Sequence, residues 1–184
     1  MKKIINLIKK LFRYRIYLFH GGVAYARHLG VVVGEGSRVL TTNFGSEPFL
    51  ITIGDKTTIT SGVILLTHDG STWLMRDKKG RRYKYNRIIV GSNVFIGVNA
   101  IVLPGVEIED RVIVAAGSVV TKSIPSNSIV GGNPAKIIGS YDDYERRALS
   151  TYISDEEMDK TLPYKEKILK VLDKDMKKFI KKKS

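Results

Sequence analysis

With 184 residues, 43% of them hydrophobic and 27% charged, the chain holds enough apolar material for one core of ordinary size plus terminal extensions, and this excludes a natively disordered protein. It contains no cysteine, which excludes disulfides, a thiolate zinc site and a cysteine nucleophile, so no acyl group is carried on the enzyme as a thioester; the composition suits a reducing cytosol. The formal charge of +13 is concentrated at the ends: residues 1–30 carry seven Lys or Arg and no acid, and a second basic cluster runs from Lys177 to Lys183. An anionic partner and a merely solvated helix face with a frayed tail both fit that distribution.

The first segment, MKKIINLIKKLFRYRIYLF, is apolar and basic. Lys9, Lys10, Arg13 and Arg15 break the apolar run far below the ~18 uninterrupted residues of a membrane span, and no small-residue cleavage site follows it. The expected element is a basic amphipathic helix with Ile4, Ile5, Ile8, Leu11 and Phe12 on one face, within an N-terminal segment of residues 1–30.

Residues 31–139 carry a six-residue repeat. From Val90 the positions six apart are Val90, Ile96, Val102, Ile108, Val114 and Val120, and four residues after each come Val94, Ala100, Val106, Val112, Ser118 and Ile124. Neither the helical period of 3.6 nor the strand period of 2 accounts for both phases. A triangular coil of short strands does: the aliphatic residue fills the axis, the small one fits near a corner, and Gly91, Gly97, Gly105 and Gly117 supply permissive turn backbone. Val33 with Val39, and Ile53 with Ile59 and Leu65, are fragments of the same pattern. It breaks around Thr41–Thr52 and again from about residue 66 to 89, and long interruptions of so regular a scaffold are where function is expected. After Ile124 the stretch PSNSIVGGNPAKIIG signals that the chain leaves the coil. Residues 140–184 are expected to form a helical extension, with Ser154 and Glu157 set as a capping box ahead of Met158.

The stretches ITIGDKTTITSGVILLTHDG and IIVGSNVFIGVNAIVLPGVEIEDRVIVAAGSVVTKSIPSNSIVGGNPAKII, with the shorter YARHLGVVVG, resemble the hexapeptide-repeat acyltransferases, the group of galactoside, maltose, xenobiotic and capsular polysaccharide O-acetyltransferases. The resemblance spans about residues 25–138. It implies an all-β solenoid, a left-handed parallel β-helix with N- and C-terminal helices and one long loop insertion, assembled as a homotrimer with active sites at subunit boundaries. The implied activity is transfer of an acetyl group from acetyl-CoA to a sugar hydroxyl in capsule, exopolysaccharide or lipopolysaccharide synthesis, without a catalytic metal.

On that resemblance His68 in THDG is the general base, and imidazole, with an ordinary pKa of ~6.5, suits proton abstraction near neutrality. Asp69 or Glu47 is the candidate to orient its ring. Phe95, Gly97, Val98 and Ala116 match positions along the pantetheine arm of CoA, and Thr121, Lys122 and Lys136 match its nucleotide end. Gly139 stands where relatives often carry a second basic residue, which departs from a tight phosphate clamp. Acceptor contacts are expected from the interruptions: Asn43, Glu47, Asp69, Trp73 and Arg76, with Tyr85 as a second stacking ring and Arg81 and Arg82 as further cations. Residues 66–89 hold seven Lys or Arg against Asp69 and Asp77, which suits an anionic acceptor such as a uronic acid or a lipid-linked diphosphate sugar. The acceptor classes are thus a sugar, a sugar nucleotide or a lipid-linked saccharide.

Three other functions remain open on sequence: N-acetylation of an amino sugar, acetylation of an antibiotic, and a non-catalytic β-helix scaffold. Nucleic acid is not the expected partner, since the chain has no aromatic RNA-binding motif, zinc signature or recognition helix. The expected location is cytoplasmic, with the basic helix packing on a neighbouring subunit or lying peripherally on the anionic inner face of the membrane.

Overall fold

The computed structural model describes the backbone of residues 2–179 and the side chains of residues 15–179. The apolar face expected on Ile4–Phe12 and the end of the basic C-terminal cluster lie outside the described residues. The chain divides into two compact units, one extending to Asp143 and one beginning at Tyr144.

In the first unit, a helix spans Lys2–His28 and is interrupted at Gly21, whose φ of 80° and ψ of 176° no helix accommodates. Beyond that kink the helix belongs to the core. Ala26 is fully buried, Val23, Tyr25 and Leu29 pack on the same cluster, and a Cβ on Gly22 would meet the Val39 carbonyl oxygen. Among the described residues no helix is long and apolar enough to cross a membrane.

The repeat region forms three parallel sheets that the chain visits in rotation. The first side stacks Val32–Val33, Ile51–Ile53, Ile88–Val90 and Glu107–Ile108; the second stacks Arg38–Val39, Thr58–Ile59, Phe95–Ile96, Ile113–Val114 and Ser128–Gly131; the third stacks Ile64–Leu65, Ile101–Val102 and Val119–Val120. Strands this short form because each side must turn a corner after one inward residue. Val90, Ile96, Val102, Ile108, Val114 and Val120 are all buried, and so are Val94, Ala100, Val106, Val112 and Ser118, as both phases of the repeat require. Each inward Val or Ile contributes ~1.5–3 kcal/mol relative to exposure, and the stack adds these circuit by circuit.

The corners differ from expectation in which residue carries the unusual backbone. The residues before Val94, Ala100, Val106, Val112 and Ser118 take a left-handed φ: Asn93, Asn99, Gly105, Arg111 and Gly117. Gly91 and Gly97 are not among them. They are glycine because neighbouring circuits come too close for a side chain: a Cβ on Gly97 would lie 2.5 Å from the Ala116 nitrogen. Side chains also tie the corners together, with the Asp55 carboxylate accepting from the Glu35 amide and the Asp110 carboxylate from the Ser92 amide.

Two registers change. Val33 pairs with Ile53, so the first circuit is 20 residues long, and its third side is the single bridge Asn43–Ile64 with Phe44 buried beneath it. At the other end Ile108 pairs with Ile124 and Val114 with Val130, a 16-residue circuit against the 18 that separates Val102 from Val120. Ile124 therefore occupies a strand position and not the corner assigned to it from sequence. The stack also does not end there: Ser128–Gly131 continues it, and only Lys136–Ser140 reverses direction to pair antiparallel with that strand.

The interruption between residues 66 and 89 is folded. It contains a short 3-10 helix, Gly70–Leu74, and an antiparallel pair of Arg76–Asp77 with Gly80–Arg81.

A helix of Tyr141–Thr151 straddles the division between the units, and the second unit continues to a helix of Tyr164–Val171. The reciprocal bonds of the expected capping box exist, from the Ser154 amide to Glu157 Oε2 at 2.8 Å and from the Glu157 amide to Ser154 Oγ at 3.3 Å. No helix follows them, which corrects the sequence expectation. Asp159 instead accepts from the amide and hydroxyl of Thr161, tightening a turn, and Pro163 precedes the helix proper. Bonds from Thr161 and Lys170 hold the Asp159 carboxyl down at about 2.

Candidate active site

The irregular first circuit brings Glu47 to His68. Thr41, buried, donates to the Val63 carbonyl and accepts the Asn43 amide at 3.2 Å, which fixes the start of the segment against the next circuit. Phe44 then enters the core, and Gly45 turns with a φ of 65°, where a Cβ would lie 3.3 Å from the Leu65 carbonyl oxygen and 3.5 Å from Thr67 Oγ1. Glu47 follows, at the start of the short 3-10 helix Pro48–Leu50.

His68 ends the third side of the second circuit. Its Nδ1 lies 2.8 Å from Glu47 Oε2, and the same oxygen accepts from Thr67 Oγ1 at 2.7 Å. The side chains are 35% and 17% exposed respectively, so the bond is sheltered while the ring still reaches solvent. Burial pushes the Glu47 carboxyl up, but the bonds from Thr67 and His68 and the charge of His68 outweigh it, and the net displacement is below the ordinary carboxylate range. An ionised carboxylate only accepts, so Nδ1 is the donor in this bond, and in a neutral ring the lone pair is then on Nε2. This pair has the elements of a proton-abstracting base: an imidazole, a fixed tautomer and an open nitrogen.

Asp69, the other candidate partner, faces elsewhere. It caps the 3-10 helix, accepting from the Ser71 amide at 3.0 Å and the Ser71 hydroxyl at 2.6 Å, and these bonds lower its pKa. Asn43 is exposed, with its backbone bridged to Ile64.

The interruption rests against the histidine through aromatic rings. His68 and Tyr85 form an isolated backbone bridge, and their rings meet edge to face at 6.1 Å. Tyr85 stacks on Tyr83 at 6.2 Å, the Arg81 guanidinium lies 4.5 Å from the centre of Tyr83 and 4.6 Å from that of Trp73, and Arg76 lies 4.9 Å from Trp73. Trp73 and Arg76, singled out from sequence, thus belong to a continuous ladder that leads to His68. Tyr83 in that ladder and the second donor Thr67 went unrecognised. The adjacency of Thr67 to His68 in THDG was the available signal, whereas nothing local in the sequence distinguishes Tyr83 from Tyr85.

The positions matched to CoA lie on the regular part of the stack. Phe95 and Val98 are exposed, Gly97 is pressed against Ala116, and Val98 accepts from the Gly117 amide. Thr121 and Lys122 follow the last strand of the third side, and a cavity of about 180 Å³ there is lined by Val120, Lys122, Ser123, Ile124, Pro125, Val130, Ala135 and Ile137, the last two flanking Lys136. Apolar walls with lysines beside them fit a planar base and an adjacent phosphate. A larger groove of about 440 Å³ lies between the end of the first helix and Thr42–Phe49; Ser46 and Pro48, on either side of Glu47, line it, and His68 does not.

Comparison with known proteins identifies the family. The family model for the hexapeptide repeat of succinyl-transferase matches residues 87–122. Protein CapG of Staphylococcus aureus is 50% identical over 151 residues, covering 80% of this chain and 86% of its own length. The galactoside O-acetyltransferase of Escherichia coli K12 is 34% identical over 100 residues, covering 54% of this chain; the match spans only 49% of that enzyme. Among solved structures, a hexapeptide-repeat-containing acetyltransferase from Vibrio cholerae superposes with a TM-score of 0.51 at 29% identity, over 61% of this chain and 63% of its own. The extent and identity of the CapG match, together with the repeat itself, establish that the chain belongs to the hexapeptide-repeat acyltransferases, a family of enzymes.

Proposed function

We propose that this protein transfers an acetyl group from acetyl-CoA to a hydroxyl of a saccharide, with His68 as the general base. The observation that carries the reading is the 2.8 Å bond between Glu47 Oε2 and His68 Nδ1, which supports Nε2 as the proton acceptor. The names of two relatives support the class of reaction, one a galactoside O-acetyltransferase and one an acetyltransferase. In this reading the three sheets form a left-handed β-helix, and three subunits assemble with the sites between them.

Acetyl-CoA supplies the activated acyl group when bound. Phe95, Gly97, Val98 and Ala116 line its pantetheine arm, and Thr121, Lys122 and Lys136 hold its nucleotide end. His68 Nε2 takes the hydroxyl proton as the acceptor oxygen bonds to the acetyl carbonyl carbon. The tetrahedral oxyanion is held by backbone N–H donors, the C–S bond then breaks, and the proton passes to the departing thiolate. Glu47 keeps the ring oriented and balances its positive charge while the proton resides there, and Thr67 holds the Glu47 carboxylate. Transfer is direct.

Thiol release from acetyl-CoA across a panel of sugars tests this. The expected result is turnover with a saccharide that falls by ~10²–10⁴-fold in His68→Ala. Full activity in that variant overturns the assignment, and NMR of the product distinguishes ester from amide.

A further inference from the structure

Two arginines of the loop face each other, and among the described residues no carboxylate pairs with either. Arg76 and Arg81 are cross-strand partners in the antiparallel pair, and both guanidinium groups lie within 5 Å of the centre of Trp73. Like charges directly opposite across strands are unfavourable. The loop has two carboxylates to offset them, and both are engaged elsewhere: Asp77 pairs with Arg82 and accepts the Lys79 amide, while Asp69 caps the 3-10 helix. Arg81 Nε is moreover buried with no acceptor among the described residues. The indole gives the two cations a π face but no counter-charge.

Resting on the reading above, we propose that Arg76 and Arg81, presented on Trp73, are the acceptor-specificity site for an anionic saccharide, binding a carboxylate or phosphate on a part of the acceptor beyond the ring that carries the reacting hydroxyl. The ladder sets that separation. Between the arginines and His68 stand Tyr83 and Tyr85, both exposed, so the anionic group is addressed three ring contacts away from the base. The exposed tyrosine faces in between suit the apolar face of a sugar. Guanidinium forks match either a carboxylate or a phosphate in two-point contact. Arg82, grouped with these arginines on sequence grounds, is excluded by its bond to Asp77.

Trp73 is the only tryptophan of the chain, so its fluorescence reports on the site without any need for turnover. Three probes separate the sources of charge: a neutral disaccharide, the same disaccharide with one hexuronate carboxylate, and the disaccharide 1-diphosphate. The expected result is a saturable, salt-sensitive change in Trp73 emission with one or both anionic probes, seen equally in His68→Ala, and none with the neutral one. In Arg76→Gln/Arg81→Gln the affinity for the anionic probe falls on the order of 10- to 100-fold, while the far-UV circular dichroism and the cooperative melting transition of the wild type are kept, which shows that the variant is folded. Arg81→Lys keeps the charge but loses the fork, and gives an intermediate affinity. Equal affinity for neutral and anionic probes, or no effect of the double substitution on the anionic one, overturns the proposal. Anion binding through the arginines with no acetylation of any probe upholds this site and overturns the reaction instead.

Discussion

Glu47 and His68 are 21 residues apart in sequence, and a single carboxylate oxygen of Glu47 receives both the His68 ring and the hydroxyl of Thr67. The Thr67 hydroxyl thus holds the carboxylate independently of the ring it contacts, and this relationship sets the expectations for the site.

Glu47→Gln keeps the shape and removes the charge. Because an amide can donate to Nδ1, the proton moves to Nε2 and the base is lost, so kcat falls on the order of 10²–10⁴-fold with little change in acceptor KM. A merely structural role would leave the ring's protonation unchanged; ¹⁵N NMR of His68 should show Nδ1–H in the wild type and the other tautomer in the variant. An unaltered tautomer removes the positioning role.

The same pair makes stability depend on pH. The folded-state pKa of Glu47 is depressed, so its contribution is fully present above the ordinary carboxylate range and is lost as pH falls through the lower folded value. Melting temperatures measured from neutral to acid pH should therefore show the wild type losing its advantage over Glu47→Gln as the solution is acidified. A constant difference across that range contradicts the assignment.

Phe95 and Ile96 are neighbours that face opposite ways, one exposed and one fully buried. Ile96→Ala leaves a cavity in the stack and should cost ~2–5 kcal/mol in denaturant unfolding. Phe95→Ala should leave stability within about 1 kcal/mol and raise the KM for acetyl-CoA instead. Comparable stability losses in the two variants would mean that Phe95 is a packing residue.

Gly97→Ala tests the close approach of two circuits. The new Cβ meets the backbone of Ala115 and Ala116, which cannot move without displacing the stack, and roughly 1–3 kcal/mol of stability should be lost, several degrees in Tm. A neutral result would show that the circuits separate freely at this corner.

The regular circuits were legible because their geometry repeats: one inward aliphatic and one small corner residue recur wherever the chain turns at six-residue intervals, as from Val90 to Val120. The first circuit was not, because Phe44 fills the core where the period calls for Gly45, and a buried Thr41 is satisfied by a carbonyl that only the folded stack supplies. Ser128–Gly131 escaped notice for a related reason. The 16-residue circuit moves Val130 out of the first phase, and the Pro125–Asn127 corner reads as an exit. His68 was marked by THDG, but the choice between Glu47 and Asp69 required a contact between circuits that no local pattern encodes. Asp69 is the nearer in sequence, and its own helix claims it.

The first circuit, at 20 residues, is longer than the 18 between Val102 and Val120, and Glu47 lies within that longer stretch. The surplus is a tether: it gives the backbone enough slack to leave the stack after Phe44 and deliver a carboxylate to the next turn's histidine. Trimming the segment to the standard length would make the scaffold more uniform and leave His68 without its partner. At this one circuit, regularity of architecture and the Glu47–His68 contact at its edge pull in opposite directions.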